Sequence, residues 1–212
     1  MINVERIVIK TEKLPTSWAK LKEYASAGKL GAILQGGDTI NITLKNGEDV
    51  ALVVGKDENG TVYFICENCL HDPHEMNKVD SSTGGWSKTE MRRYLNEDVF
   101  ALLPDDLQAA IKPTKIVQVV DRERVEVEDN LFCLSVTQVH GRGYWSGFEP
   151  EDFQIDIFSK VENRLKTRKD KGEAWWLRSA DCSGEFRWVT AYGGGRSDLA
   201  SHSHGVVFGF TI

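Results

Sequence analysis

The stretch "ICENCLHDPHEM", residues 65 to 76, places two cysteines and two histidines within nine positions. Cys66, Cys69, His71 and His74 are all zinc-ligand types, and a zinc ion would polarise a carbonyl or activate water. Structural zinc sites usually draw two ligands from one knuckle and two from a distant one. Here Cys66 closes the apolar run "TVYFIC", which favours a strand ending in a small buried thiol. The reading is a strand running into a polar loop, with the four-ligand zinc site as the alternative.

A second group lies at "SHSHG", 201 to 205. In an extended segment His202 and His204 face the same side, as metal-binding pairs often do. Asp198 is near in sequence, and His140 is a distant fourth candidate. The flanking Ser and Gly favour a flexible loop with exposed histidines. The chain contains no G-x-S-x-G elbow, no H-E-x-x-H and no phosphate-binding loop. "YGGGRS" lacks the Lys-Ser/Thr ending of a phosphate cradle. The carboxylates are scattered, and no acid–base pair stands out. No cofactor is expected.

The elements that position these residues are readable in outline. A helix is expected near 16 to 28, capped by Thr16 or Ser17 and stopped by Gly28. "TINITL", "VALVVG" and "TVYFIC", joined by "NGED" and "DENG", predict an antiparallel meander. Ser87 and Glu90 match a capping box, with Trp86 and Met91 as its staple. Pro104 opens a short helix with Asp105 and Asp106 in its first turn. "KIVQVVDRERVEV" reads as strand, turn, strand. Ser135 and Gln138 form a second capping box, closed by Gly141. A further helix is expected around 151 to 166. The basic run "RLKTRKDK", 164 to 171, reads as a solvated helix end. Aromatic-rich strands separated by Gly and Ser loops follow.

The 212 residues form one α+β domain in this reading, with helices inserted between antiparallel strands. Residues 1–37 are a helical lead-in and 38–212 the body. The chain is 41% hydrophobic and carries a net charge of −6, so nucleic acid is not its expected partner. No apolar stretch reaches membrane-spanning length, and no secretory signal core opens the chain. A cytoplasmic or phage-associated protein with reduced thiols is expected.

Within "AWWLRS", Trp175, Leu177 and Ser179 face one way in a strand, and Trp176 and Arg178 the other. A buried Arg178 requires a carboxylate or several carbonyls. Trp176 and Arg178 are either structural cement or part of a platform for a sugar or peptide. Residues 193–205, long, polar and hinged by glycine, are the best candidate for partner contact. Tyr192, Arg196, Asp198, His202 and His204 are the expected contact residues.

"WWLRSA", the glycines at 193 to 195 and the closing "GVVFGFTI" resemble an uncharacterised domain family found in gut-type bacteria and their prophages. "SWAKLKEYASAGKL", "GGDTINITLKNGEDVALVVG", "GGWSKTEMRRYLNEDVFALLPDDLQAAI" and "LFCLSVTQVHG" fit the same pattern in the expected order. Val207 and Phe208 stand where family members often carry Arg-Pro, and Gln138 replaces a usual glutamate. The closing motifs also resemble C-type-lectin-like domains and the formylglycine-generating-enzyme fold. That resemblance implies a non-enzymatic binding or display module whose ligand is a small molecule, a glycan or a protein surface. Its enzymatic branch implies a reactive cysteine pair, for which Cys133 and Cys182 are the candidates; a metal- or thiol-dependent enzyme is the alternative function.

Overall fold

A computed structural model describes residues 17–120, 122–144, 149–181 and 184–212. Ser17 caps helix α1 (Trp18–Ser26), its side chain accepting from the Lys20 amide. A short α2 (Leu30–Ile33) follows. Then come the three strands of the expected meander, β1 (Thr39–Thr43), β2 (Asp49–Lys56) and β3 (Val62–Cys66), paired antiparallel in chain order. Gly47 and Gly60 take positive φ at the two turns, a conformation that glycine adopts without the penalty of a Cβ.

The chain's end completes this sheet. β14 (Phe208–Phe210) pairs with β3 on one side and with β7 (Phe132–Cys133) on the other, giving the order β1-β2-β3-β14-β7. All five residues of β3 and all three of β14 are buried, as expected for strands covered on both faces. Phe64 stacks on Phe210 at 5.2 Å, and Trp18 of α1 meets both rings edge-on. The tail and the amino-terminal half therefore share one core, and the molecule is a single compact α+β domain of antiparallel sheets with few helices.

The middle of the chain departs from expectation at two places. Ser87 does not cap a helix; its hydroxyl donates to Gly84 O within a 3-10 turn, Gly85–Lys88. The cap is Thr89, and α3 runs Glu90–Tyr94. Trp86 fixes this choice, because its indole donates to Asp129 at 2.7 Å and its amide to Gln118. The helix then widens into a π-helical stretch, Leu95–Val99, before α4 (Phe100–Leu102) and α5 (Asp105–Ala110). Asn96 in this stretch donates to Arg92 O and Leu131 O and accepts from the amides of Asn130 and Leu131. It thereby fastens the turn between β6 (Glu123–Asp129) and β7. β5 (Thr114–Val120) pairs with β6 as the expected hairpin. The capping box of α6 (Val136–His140) is present in both directions, and Gly141 ends it at φ 84°.

The helix expected over 151–166 is replaced by two 3-10 turns, Asp156–Ser159 and Val161–Arg164. Asp156 accepts from the Lys56 and Ile157 amides, tying its side chain to β2 and to the local backbone instead of leaving it on a helix face. Ile155 occupies the space that a side chain at Gly55 would need. The basic run is a hairpin, β8 (Lys166–Arg168) and β9 (Lys171–Glu173), and not a helix end. A three-stranded sheet of β10 (Trp175–Ala180), β11 (Glu185–Val189) and β12 (Gly195–Leu199) carries Trp176, Arg178, Arg196 and Asp198 of the residues named above. Residues 193–205 therefore include strand β12 and β13 (Ser203–His204), which pairs with β4 (His74–Glu75). Among the described residues no helix is long and apolar enough to cross a membrane.

Candidate ligand-binding site

The register of the three-stranded sheet sorts its side chains. Trp176 faces Trp188, and Trp188 faces Arg196, so this row shares one side of the sheet. Asp198 lies two residues beyond Arg196 on the same side. Arg187 and Ser197 form a row on the other side. The β10–β11 register shifts between Trp176 and Ala180, which breaks the simple alternation expected through Arg178.

Trp176 and Arg178 are interior, at 0% and 1% exposure, which is the placement of the structural-cement alternative. The Trp176 indole donates to His74 O at 2.9 Å. Arg178 donates to Cys133 O at 2.8 Å and to Gln138 Oε1 at 2.7 Å, and pairs with Asp152. Its guanidinium also lies over the Phe132 ring. One carboxylate, one amide and one carbonyl thus offset much of the cost of burying this charge, while its Nε is left without a hydrogen-bond acceptor. Arg178 is a tie between β10, α6 and the segment around Asp152. Beside it Glu149 is buried, and burial pushes its carboxyl up to about 7, against the opposing pull of Arg178.

The two histidines of "SHSHG" do converge. His202 Nδ1 and His204 Nε2 each donate to Asp198 at 2.8 Å. Burial works to raise the Asp198 carboxyl, but the hydrogen bonds from His204, the Leu199 amide and His202 hold it below the usual carboxylate range. His204 stacks on Trp188 at 4.6 Å and meets Trp176 edge-on. The cluster locks β12 to β13. His140 is engaged elsewhere: it stacks on Tyr144, and burial followed by the charge of Arg164 lowers it to about 4.

The opening cysteine–histidine stretch is dispersed. Cys66 lies in β3, Cys69 packs beneath Gly205, and His71 lies exposed at the rim of a cleft. His74 lies in β4 and stacks on Tyr94. No group of three or more His, Cys, Asp or Glu among the described residues is arranged to hold a metal ion. Burial pushes the thiols of Cys66, Cys69 and Cys133 up, the last two to about 12. Thiols so raised hold little nucleophilic thiolate at neutral pH. Cys182 lies outside the described residues.

At the tip of the β11–β12 hairpin a depression of about 600 Å³ is lined by Arg187, Thr190, Tyr192, Gly194, Arg196 and Ser197. Tyr192 is 89% exposed there, the most exposed large apolar side chain among the described residues. The turn beneath it is braced. The Thr190 hydroxyl accepts from the amides of Tyr192 and Gly194, and the Thr190 and Gly194 backbones are joined at 2.7 Å. Gly193 turns at φ 80° against Val161. Tyr144, missed in the sequence, extends the surface by accepting from the Gly195 amide. Arg196 is exposed beside Tyr192, and Arg187 is paired with Asp181 at 2.7 Å. A second cleft, about 630 Å³, lies between β1–β2 and the β8–β9 hairpin, with Glu48, Asp49, His71, Lys169 and Asp170 at its edge.

A family model matches residues 59–211, nearly three quarters of the chain. The chain belongs to DUF6273, a family described as a domain of unknown function. No curated protein and no solved structure matches it. The DUF6273 match takes in β3 through β14, whereas β1 and β2, which complete the large sheet, precede it.

Proposed function

We propose that this DUF6273 protein is a non-enzymatic recognition module that takes a glycan at the tip of the β11–β12 hairpin. The observation that carries this reading is Tyr192, 89% exposed on a hydrogen-bonded turn beside two arginines. An exposed ring offers a flat apolar face to the C–H face of a sugar, and a guanidinium offers donors to its hydroxyls. Because the turn is already braced, little ordering is lost on binding. The depression is open and shallow, which suits surface recognition. The C-type-lectin-like architecture resembled by the closing motifs, and a display role on a bacterial or prophage protein in the cytoplasm or on a phage particle, belong to the same reading. It requires no cofactor and no membrane insertion.

A glycan array probed with the full chain tests the proposal. Binding to a defined set of sugars, lost on Tyr192→Ala and weakened on Arg196→Ala, is the expected result. A blank array, or binding that the Tyr192 change leaves intact, overturns it. Retention of binding by a peptide library under the same Tyr192 dependence would transfer the site to a protein partner.

A further inference from the structure

Five large apolar side chains are exposed among the described residues, and four of them stand around one turn. Tyr192 sits on that turn. Tyr144, 44% exposed, reaches it by accepting from the Gly195 amide. Val161 and Leu165, 48% and 44% exposed, press against Gly193 from the other side of the chain, on and just after the 3-10 turn Val161–Arg164. A Cβ at Gly193 would come within 2.9 Å of Val161 Cγ1 and 3.3 Å of Leu165 Cδ2. Single exposed apolar side chains are ordinary, whereas several gathered on a braced turn mark a contact surface.

Two polar groups beside this patch have capacity to spare. Thr190 Oγ1 accepts from the amides of Tyr192 and Gly194, which leaves its hydroxyl hydrogen unused among the described residues. Arg196 lines the same depression and has no ion-pair partner among the described residues. Sugar hydroxyls laid against Val161 and Leu165 would lose water and gain no partner. A methyl group laid there loses nothing and buries apolar area. An acetamido substituent carries a methyl next to a carbonyl. Its methyl can rest on Val161 and Leu165 while its carbonyl accepts from Thr190 or Arg196.

We propose that the hairpin-tip surface selects N-acetylhexosamine units, with Val161 and Leu165 as specificity-determining residues. The inference rests on the glycan reading above and names the substituent that sets its preference.

The test is calorimetric titration of the full chain with chitotriose and with cellotriose, which differ only in the acetamido groups that replace the 2-hydroxyls. Chitotriose is expected to bind at least about tenfold tighter, as one buried methyl and one added hydrogen bond imply. In the double variant Val161→Ser, Leu165→Ser most of that ratio should be lost while the cellotriose affinity stays as it was. If the double variant melts early, Leu165→Ser alone reads the same ratio. Equal affinities for the two trimers in the unaltered protein overturn the proposal and leave the Tyr192 reading in place. A ratio that survives the serine changes also overturns it. Failure of both trimers, with other sugars bound on the array, removes the N-acetylhexosamine preference alone; failure of every glycan removes both readings.

Discussion

Glu149 shows how a single residue sets the response of the protein to pH. Burial raises its folded carboxyl to about 7 from the ordinary glutamate value of 4.5. Between those values the folded state holds a proton that the unfolded chain has released. Stability from this group is therefore full below about pH 4.5 and declines as pH rises toward 7. Glu149→Gln removes that slope. Chemical denaturation across pH 5 to 8 should show the variant more stable at the upper end by on the order of 2 kcal/mol. An unchanged slope would contradict the burial. Such residues are the least legible in sequence. A buried Arg178 with carboxylate and carbonyl partners follows from general rules about guanidinium burial, and the structure supplies Asp152, Gln138 and Cys133 O. Nothing in "RLKTRKDK" distinguishes Lys166 from its exposed neighbours. Its burial depends on Phe158 and Trp175, which arrive from other parts of the chain.

Among the elements, hairpins with Asn-Gly turns were readable because the turn chemistry is local. So was the capping box of α6, which needs only Ser135 and Gln138. Segments decided by distant partners were not. The 3-10 turns at Asp156–Ser159 and Val161–Arg164 depend on β2, and β12 looks like a polar loop until β11 lies beside it. The β8–β9 hairpin also carries a local conflict. Lys169 and Asp170 occupy its turn at φ 50° and 63°, where Asn-Gly is the favoured pair. Replacing them with Lys169→Asn and Asp170→Gly should raise stability by about 1 kcal/mol, read as an upward shift of the thermal midpoint. A lower midpoint would mean that the pair is held by contacts at the adjoining cleft.

On the scale of the whole molecule, the central feature is a sheet assembled from both ends of the chain. β14 is inserted between β3 and β7, while β1 and β2 protect the other flank of β3. A fragment spanning 59–212 retains the whole family match but loses β1, β2, Trp18, Leu34, Leu52 and Val54 from the core. That fragment should show no cooperative thermal transition by circular dichroism; a sharp melt would show that the meander is dispensable. One compact α+β body was legible from alternating strands and inserted helices. The proposed binding surface was only partly so, since Tyr192, Arg196 and the His202–Asp198–His204 cluster are at hand in the sequence but fall into separate groups in space. The most direct test of the recognition account is a nuclear magnetic resonance titration of the isotope-labelled full chain with a glycan selected from the array. The account predicts shifts concentrated at 190–197 and at Tyr144, absent in Tyr192→Ala. Shifts centred instead on the cleft at Glu48, His71 and Asp170 would contradict it.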